Sequence, residues 1–522
     1  MNGWPVFMIA ALMLSNPVLA ENDLPPVGHS RFDELIGKTS VPFPFPRLMK
    51  KINAQMQAGQ GSLSPLKVTL IPLGRSLQRE AGAPDFFRYP RVVAAADGDN
   101  KPGYAPLKDR LFLGFHEKGE VVEVISYNDA AGRFEFQIVR DYAPGKTPRI
   151  FYARRSLCLA CHQNAAPMFA RPLWDETSAN PAIAARLKTE RRNFYQLKIT
   201  GTDIAYFIDN ATDRANLFGV WQTLWRQACG AGKAGSRCRM QAFSAALDYA
   251  RFGKLPAPNA LPALRRDWKK NWPHGLAIPN ADLPNRDPLA ALQDPASDPL
   301  LLRPPLETWN TPDITAFVVG LAGMLDSVSV RKLGSLDPRA GLESMLARGT
   351  FDTPVFSLAL ADALLDELRL GKTRHAGALP APRAEPRPGD SGALAIFRSH
   401  CGVCHDSAGT EPPNFLHGGD AEVNARLDHC AERIFYRLNM GRTAESGRRK
   451  SPMPPPAMLA AKGLSADTWA RSSQLEALIG DISQRIKRQG GRAGSVLERP
   501  FDQLRACLPA SPDNRTRHAT SF

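Results

Sequence analysis

The chain has 522 residues, 43% of them hydrophobic and 22% charged. That is more than one small core needs, so two or three globular domains are expected. The net charge of +15 favours anionic partners, such as an acidic redox protein or a membrane surface. Its spread along the chain, with no binding motif, argues against nucleic acid.

Residues 1–20 read as a signal peptide. An apolar run from Phe7 to Leu14 is followed by Pro17 and by Val18-Leu19-Ala20 before Glu21, the small-residue pattern of a cleavage site. No Lys or Arg precedes the run, and a short N-terminal membrane anchor is the competing reading. Export to the periplasm is therefore expected, with no transmembrane segment after cleavage. The later apolar stretch 314–325 is too short to span a bilayer and reads as a buried helix.

Residues 21–60 are Pro-rich and suit an extended arm or a short helix pair. Strand character begins near Lys67. Leu111–Phe115 is one apolar run. Val121–Tyr127 and Arg133–Val139, separated by a turn-like Asn128–Gly132, predict a β-hairpin with one buried face. Residues 203–229 and 241–252 have helical spacing. Between them, Gly230–Ser236 reads as a flexible loop flanked by Cys229 and Cys238. Residues 255–311 are dense in Pro, Asn and Asp with no sustained period, and 312–325 and 354–370 read as helices. Residues 373–387 form a Pro-rich linker that should run extended. Residues 511–522 read as a disordered tail.

Two Cys-x-x-Cys-His motifs stand far apart in the chain: Cys158, Cys161 and His162, then Cys401, Cys404 and His405. Composition alone would yield about 0.002 such matches, so chance does not explain two. The pattern is that of c-type haem attachment: two thiols add to the porphyrin vinyl groups and the next imidazole ligates the iron. A zinc site or a thioredoxin-like dithiol competes, but each pair carries a trailing His and neither lies in a βαβ setting. Two covalent haem c groups and their iron are the expected cofactors. The other four cysteines are Cys229, Cys238, Cys430 and Cys507. In an oxidising compartment Cys229 with Cys238 is the favoured pair, and Cys430 with Cys507 would pin the C-terminal tail onto a helix. The sequence leaves that connectivity open.

Residues 390–405, Asp-Ser-Gly-Ala-Leu-Ala-Ile-Phe-Arg-Ser-His-Cys-Gly-Val-Cys-His, resemble the first helix of the class I cytochrome c domain family. The resemblance covers about residues 388–490. It implies packing of this helix against a C-terminal helix, for which Ser465–Arg485 is the candidate, with Trp469, Leu475, Leu478, Ile479 and Ile482 facing in. It also implies a methionine sulfur as sixth iron ligand. Met453, in the stiff run Lys450-Ser451-Pro452-Met453-Pro454-Pro455-Pro456, matches that position. Met440, Met458, His400, His417 and His429 are competitors. Arg442, Arg448, Arg449 and Lys450 precede it as a candidate docking rim for an acidic redox partner. At the first motif the sixth position is open to Met168, to His116 or to no protein ligand.

The expected class is α+β. Residues 21–372 would form a mixed β-rich and helical domain carrying the first haem, and residues 388–510 an all-α cytochrome c domain carrying the second. Electron transfer is the leading function. A dihaem peroxidase with an open first haem, and a haem-based sensor or binding protein, are the alternatives.

Overall fold

The computed structural model describes residues 24–57, 64–74, 79–82, 84–153, 155–159, 162–169, 176–197, 199, 204–280, 288–289, 306–311, 313–372, 379–384, 392–406, 413–455, 459 and 464–507. The signal segment, the tail 511–522, Cys161 and Met458 lie outside the described residues. The class is α+β.

A helix pair comes first, α1 (Arg31–Ile36) and α2 (Phe45–Gln55), the second of the two readings of the Pro-rich arm. Ser30 caps α1 by accepting from the Asp33 N–H. Six strands follow: β1 (Leu66–Ile71), β2 (Arg91–Ala96), β3 (Leu111–His116), β4 (Val121–Asn128), β5 (Arg133–Arg140) and β6 (Arg149–Tyr152). They form one antiparallel meander in chain order.

The expected hairpin is β4–β5, closed with Asn128 opposite Arg133. Its single buried face is not what forms. Alternate residues enter two different cores: Val93, Phe112, Tyr127 and Phe134 face one way, and Val92, Leu113, Val124 and Val139 face the other. Helices cover both sides, so Glu135 and Gln137 are buried although they alternate with Phe134 and Phe136. The periodicity was that of a half-solvated strand. The buried polar groups are satisfied by partners distant in sequence: Gln137 donates to Asp33 and accepts from Ser30.

Past the first motif helix α3 (Arg155–Leu159), the chain forms α4 (Pro181–Thr189), α5 (Ile204–Asn216), α6 (Phe218–Thr223), α7 (Gly232–Phe252) and α8 (Pro262–Asn271). A two-stranded sheet of β7 (Leu276–Ile278) and β8 (Glu307–Trp309) comes next. Then come α9 (Ile314–Met324), α10 (Ser327–Leu333), α11 (Arg339–Ala347) and α12 (Leu358–Glu367). Of the loop expected at 230–236, residues 232–236 are instead the first turn of α7. Cys229 is bonded to Cys238 across that turn. A Cβ on Gly235 would collide with the Gly230 carbonyl, so the close return requires glycine there. Helix α8 lay unrecognised in the Pro-rich 255–311 stretch because its mean polarity is high; only Leu264 and Trp268 are buried.

Among the described residues no single helix is long and apolar enough to cross a membrane. Helices α9 and α10 pass that test only as a pair bent by 97°, and Phe317, Val318 and Leu321 of α9 are fully buried in the helical core.

Among the described residues, the buried side chains of a third core all lie from Phe397 onward, with Leu394 and Ile396 packed against them. It is built from α13 (Gly392–His405), α14 (Asp420–Asn439), α15 (Ala466–Ala470), α16 (Ser473–Arg488) and α17 (Ala493–Glu498). The single C-terminal helix expected over Ser465–Arg485 is two helices. Ser465 and Ser472 each cap one, accepting from Thr468 and Leu475 N–H groups. The inward residues are as expected: Trp469, Leu475, Leu478, Ile479 and Ile482 are all buried. Cys430 on α14 is bonded to Cys507, tying the segment after α17 to α14.

Candidate functional site

The first motif is anchored to the sheet by its own helix. Arg155, the first residue of α3, is buried; it donates to the Phe134 carbonyl at 3.0 Å and to Glu135 Oε2 at 3.2 Å. Glu135 is fully buried and also takes Arg133. A buried carboxylate holding two guanidinium groups is stable only with this pairing. It fixes α3 against β5, and Cys158 follows one turn later. The His162 N–H donates to the Cys158 carbonyl at 3.0 Å, continuing the helical bonding across the motif. The His162 ring lies 5.3 Å from that of Phe136 on β5.

The second motif closes α13. Phe397, four residues before Cys401, is fully buried in the third core. Cys401 and Cys404 are half-buried on the last turn. Phe415 stacks on His405 with centroids 4.2 Å apart, and the Leu416 N–H donates to the His405 carbonyl at 2.9 Å.

Both imidazoles are oriented in the same way. His405 Nδ1 is 2.6 Å from the Pro413 carbonyl, and His162 Nδ1 is 3.0 Å from the Ala166 carbonyl. A carbonyl only accepts, so Nδ1 carries the proton and Nε2 keeps its lone pair, the tautomer a metal ligand needs. Packing around His405 pushes its imidazole down to about 4; the Pro413 bond opposes this, and Arg437 adds to it. The ring is therefore neutral at physiological pH. Sequence reading had missed these acceptors and the rings of Phe136 and Phe415. The one available signal was a proline just after each motif, at 167 and at 412–413.

Met453 is half-buried, in a loop clamped to the end of α14. Its N–H donates to the Arg437 carbonyl at 3.2 Å, and Arg437 Nε donates to the Ser451 carbonyl at 2.6 Å. Arg437 is thus felt at His405 and holds the Met453 loop. Of the competitors, Met440 is buried core filler and His400 packs on Trp469 at 4.5 Å. His417 Nδ1 lies 3.4 Å from Asp406. The charged rim is smaller than its sequence suggests: Arg442 is paired with Glu476, and Lys450 lies 5.3 Å from the Phe501 centroid.

At the first motif, Met168 is buried. His116 is buried at the end of β3 and accepts from the Gly119 N–H at 3.1 Å. The register sets Phe112 level with Ile125, and Ile125 level with Phe136. His116 is four residues further along β3, about 13 Å by strand rise and two strands away from Phe136. The register therefore does not bring His116 to the first motif.

Cys158, Cys401 and Cys404 belong to neither disulfide. Among the described residues no cluster of three or more His, Cys, Asp or Glu side chains is arranged to hold a metal ion. Comparison with protein-family models, with curated proteins and with solved structures finds no match.

Proposed function

We propose that the chain is an exported dihaem c-type cytochrome that carries electrons. On this reading an α+β unit bears the first haem and an all-α cytochrome c-like unit the second. The observation that carries it is the pair of motifs, one starting in the short helix α3 and one ending α13, each with a neutral-tautomer imidazole locked through Nδ1 to a backbone carbonyl.

The residues present fit the group. Cys158 with Cys161, and Cys401 with Cys404, supply the thiols for thioether bonds, and His162 and His405 supply the proximal nitrogens. Bound haem would provide a one-electron iron couple. The chain's own contributions are orientation and dielectric. The Pro413 and Ala166 carbonyls hold the rings and raise ligand basicity. Phe415, buried and stacked on His405, shields that imidazole from water. Met453 is the sulfur ligand of choice because its loop is tied to Arg437, whose charge reaches His405. Arg448 and Arg449 beside it suit an acidic redox partner.

The test is the mass and visible spectrum of the denatured, exported chain. Two covalently retained macrocycles are expected. A chain of plain polypeptide mass ends the proposal. Met453→Ala should abolish a long-wavelength sulfur-to-iron band at one haem; a persisting band reassigns the ligand. Added cyanide or CO that perturbs one haem directs attention to the peroxidase alternative.

A further inference from the structure

Three chain segments meet where α7 ends. The helix stops at Phe252, where Gly253 turns left-handed (φ +64°) and donates to the Tyr249 carbonyl. Arg251, in the last turn, donates to the Gly334 carbonyl at 2.7 Å and to the Leu336 carbonyl at 2.5 Å, just past α10. Lys332 of α10 donates to the carbonyls of Gly371 and Lys372, past α12.

This junction exposes apolar side chains together. Among the described residues seven large hydrophobic side chains are exposed, and three stand here: Phe252 at 58%, Leu255 at 57% and Leu336 at 49%. The Arg251 guanidinium joins them, lying 4.5 Å from the Phe252 ring centroid while it holds the Leu336 carbonyl. A Cβ on Gly253 or Gly334 would meet nothing within 4 Å, so the surface there is open rather than grooved. Single exposed apolar residues need no account, whereas a contiguous group marks a contact surface.

The charges around it are one-sided. Residues 248–255 and 331–339 carry Arg251, Lys254, Arg331, Lys332 and Arg339 against Asp248 and Asp337. Asp337 is paired with Arg339, and Lys372 beside them with Asp366. Arg251 and Lys332 are held by backbone carbonyls, which carry no charge to cancel theirs. Lys254 is exposed between Phe252 and Leu255. The cores of protein–protein interfaces are depleted of lysine. A lipid surface accepts this mixture, because apolar side chains enter the acyl boundary while lysine stems reach back to the headgroups. Anionic headgroups match the surplus of positive charge, and each cation near such a surface contributes about fivefold in partition.

We propose that Phe252, Leu255 and Leu336, with the cations around them, form a docking surface for an anionic lipid bilayer. The test is co-sedimentation of the full exported chain with vesicles of phosphatidylcholine alone and of phosphatidylcholine mixed with phosphatidylglycerol. Binding should require phosphatidylglycerol and weaken with salt. Phe252→Ser/Leu255→Ser leaves the net charge unchanged and should weaken partition at least about tenfold. Tyr206→Ser, at another exposed ring (59%), should not. Lys254→Gln/Arg331→Gln should weaken partition more than Lys269→Gln/Lys270→Gln, an equal change of charge on exposed positions of α8. Far-ultraviolet circular dichroism should be the same for all of these variants. Absent binding, binding to phosphatidylcholine alone as strong as to the mixture, or partition unaltered by Phe252→Ser/Leu255→Ser overturns the proposal. Equal losses in the two charge variants also overturn it, because they report net charge alone. So does a concentration-dependent dimer in sedimentation velocity that Phe252→Ser/Leu255→Ser abolishes, since the face then joins two copies of this chain.

Discussion

Removing the two disulfides one at a time should cost unequal amounts, each confined to its own region. Cys430–Cys507 spans 77 residues and Cys229–Cys238 spans 9. Loop-closure entropy then gives about 4.5 kcal/mol for the longer bridge and about 2.6 kcal/mol for the shorter. The tail ending at Cys507 has other attachments. Arg433 donates to the Leu504 carbonyl at 3.1 Å, and Glu432 takes Arg499 at 2.8 Å and the Arg505 N–H at 3.2 Å. Ion pairs of this exposure contribute at most about 1 kcal/mol each, too little to replace the covalent link. Against a total stability of about 5–15 kcal/mol for a domain, the longer bridge is a large fraction. The assay is hydrogen exchange read by mass spectrometry on Cys430→Ala/Cys507→Ala and Cys229→Ala/Cys238→Ala. Protection should fall by about three decades in peptides of α14 and α16 for the first variant, and by about two decades in α7 for the second. Equal losses, or a larger loss at Cys229–Cys238, would show that loop entropy is not what these bridges remove.

His116 supplies a pH dependence. Burial first, then Arg91 and Lys118, push its imidazole from 6.5 down to about 4. Below the unfolded value the unfolded chain takes up a proton that the folded chain refuses. Stability of the sheet should therefore fall as pH drops from about 6.5 to about 4, then level off, by at most about 3 kcal/mol. His116→Asn keeps an acceptor for Gly119 and should flatten that part of the urea-denaturation profile; an unchanged slope refutes the assignment. Gly320 on α9 lies against Trp221, and a Cβ there would overlap the indole. Gly320→Ala should cost about 1–3 kcal/mol in thermal unfolding, and an unaltered melting temperature would show that the two helices part freely.

The segment between residues 372 and 392 shows a contact that local reading does not supply. Four prolines in 373–391 imply an extended run; of it, 379–384 is described, with no helix or strand and one bridge at Ala384. It also docks. The Tyr152 N–H donates to the Arg383 carbonyl at 2.6 Å, Ala384 bridges Tyr152, and His29 lies 2.8 Å from the Pro380 carbonyl. Nothing local in Leu379–Ala384 marks the edge of β6 as its partner, because the edge is created by folding.

Local chemistry and spacing were enough for the two thiol–imidazole motifs, the β4–β5 hairpin, the inward face of α16, and the two disulfide pairs named as candidates. Each depends on residues near one another in sequence, or on which few cysteines remain to pair. Packing decided the rest. Burial of both sheet faces and the Glu135–Arg155 anchor beneath the first motif join segments whose contact depends on how the elements stack. Side-chain period reports only that a face is apolar, and a second covering layer turns the polar face of β5 into core without altering one residue of it.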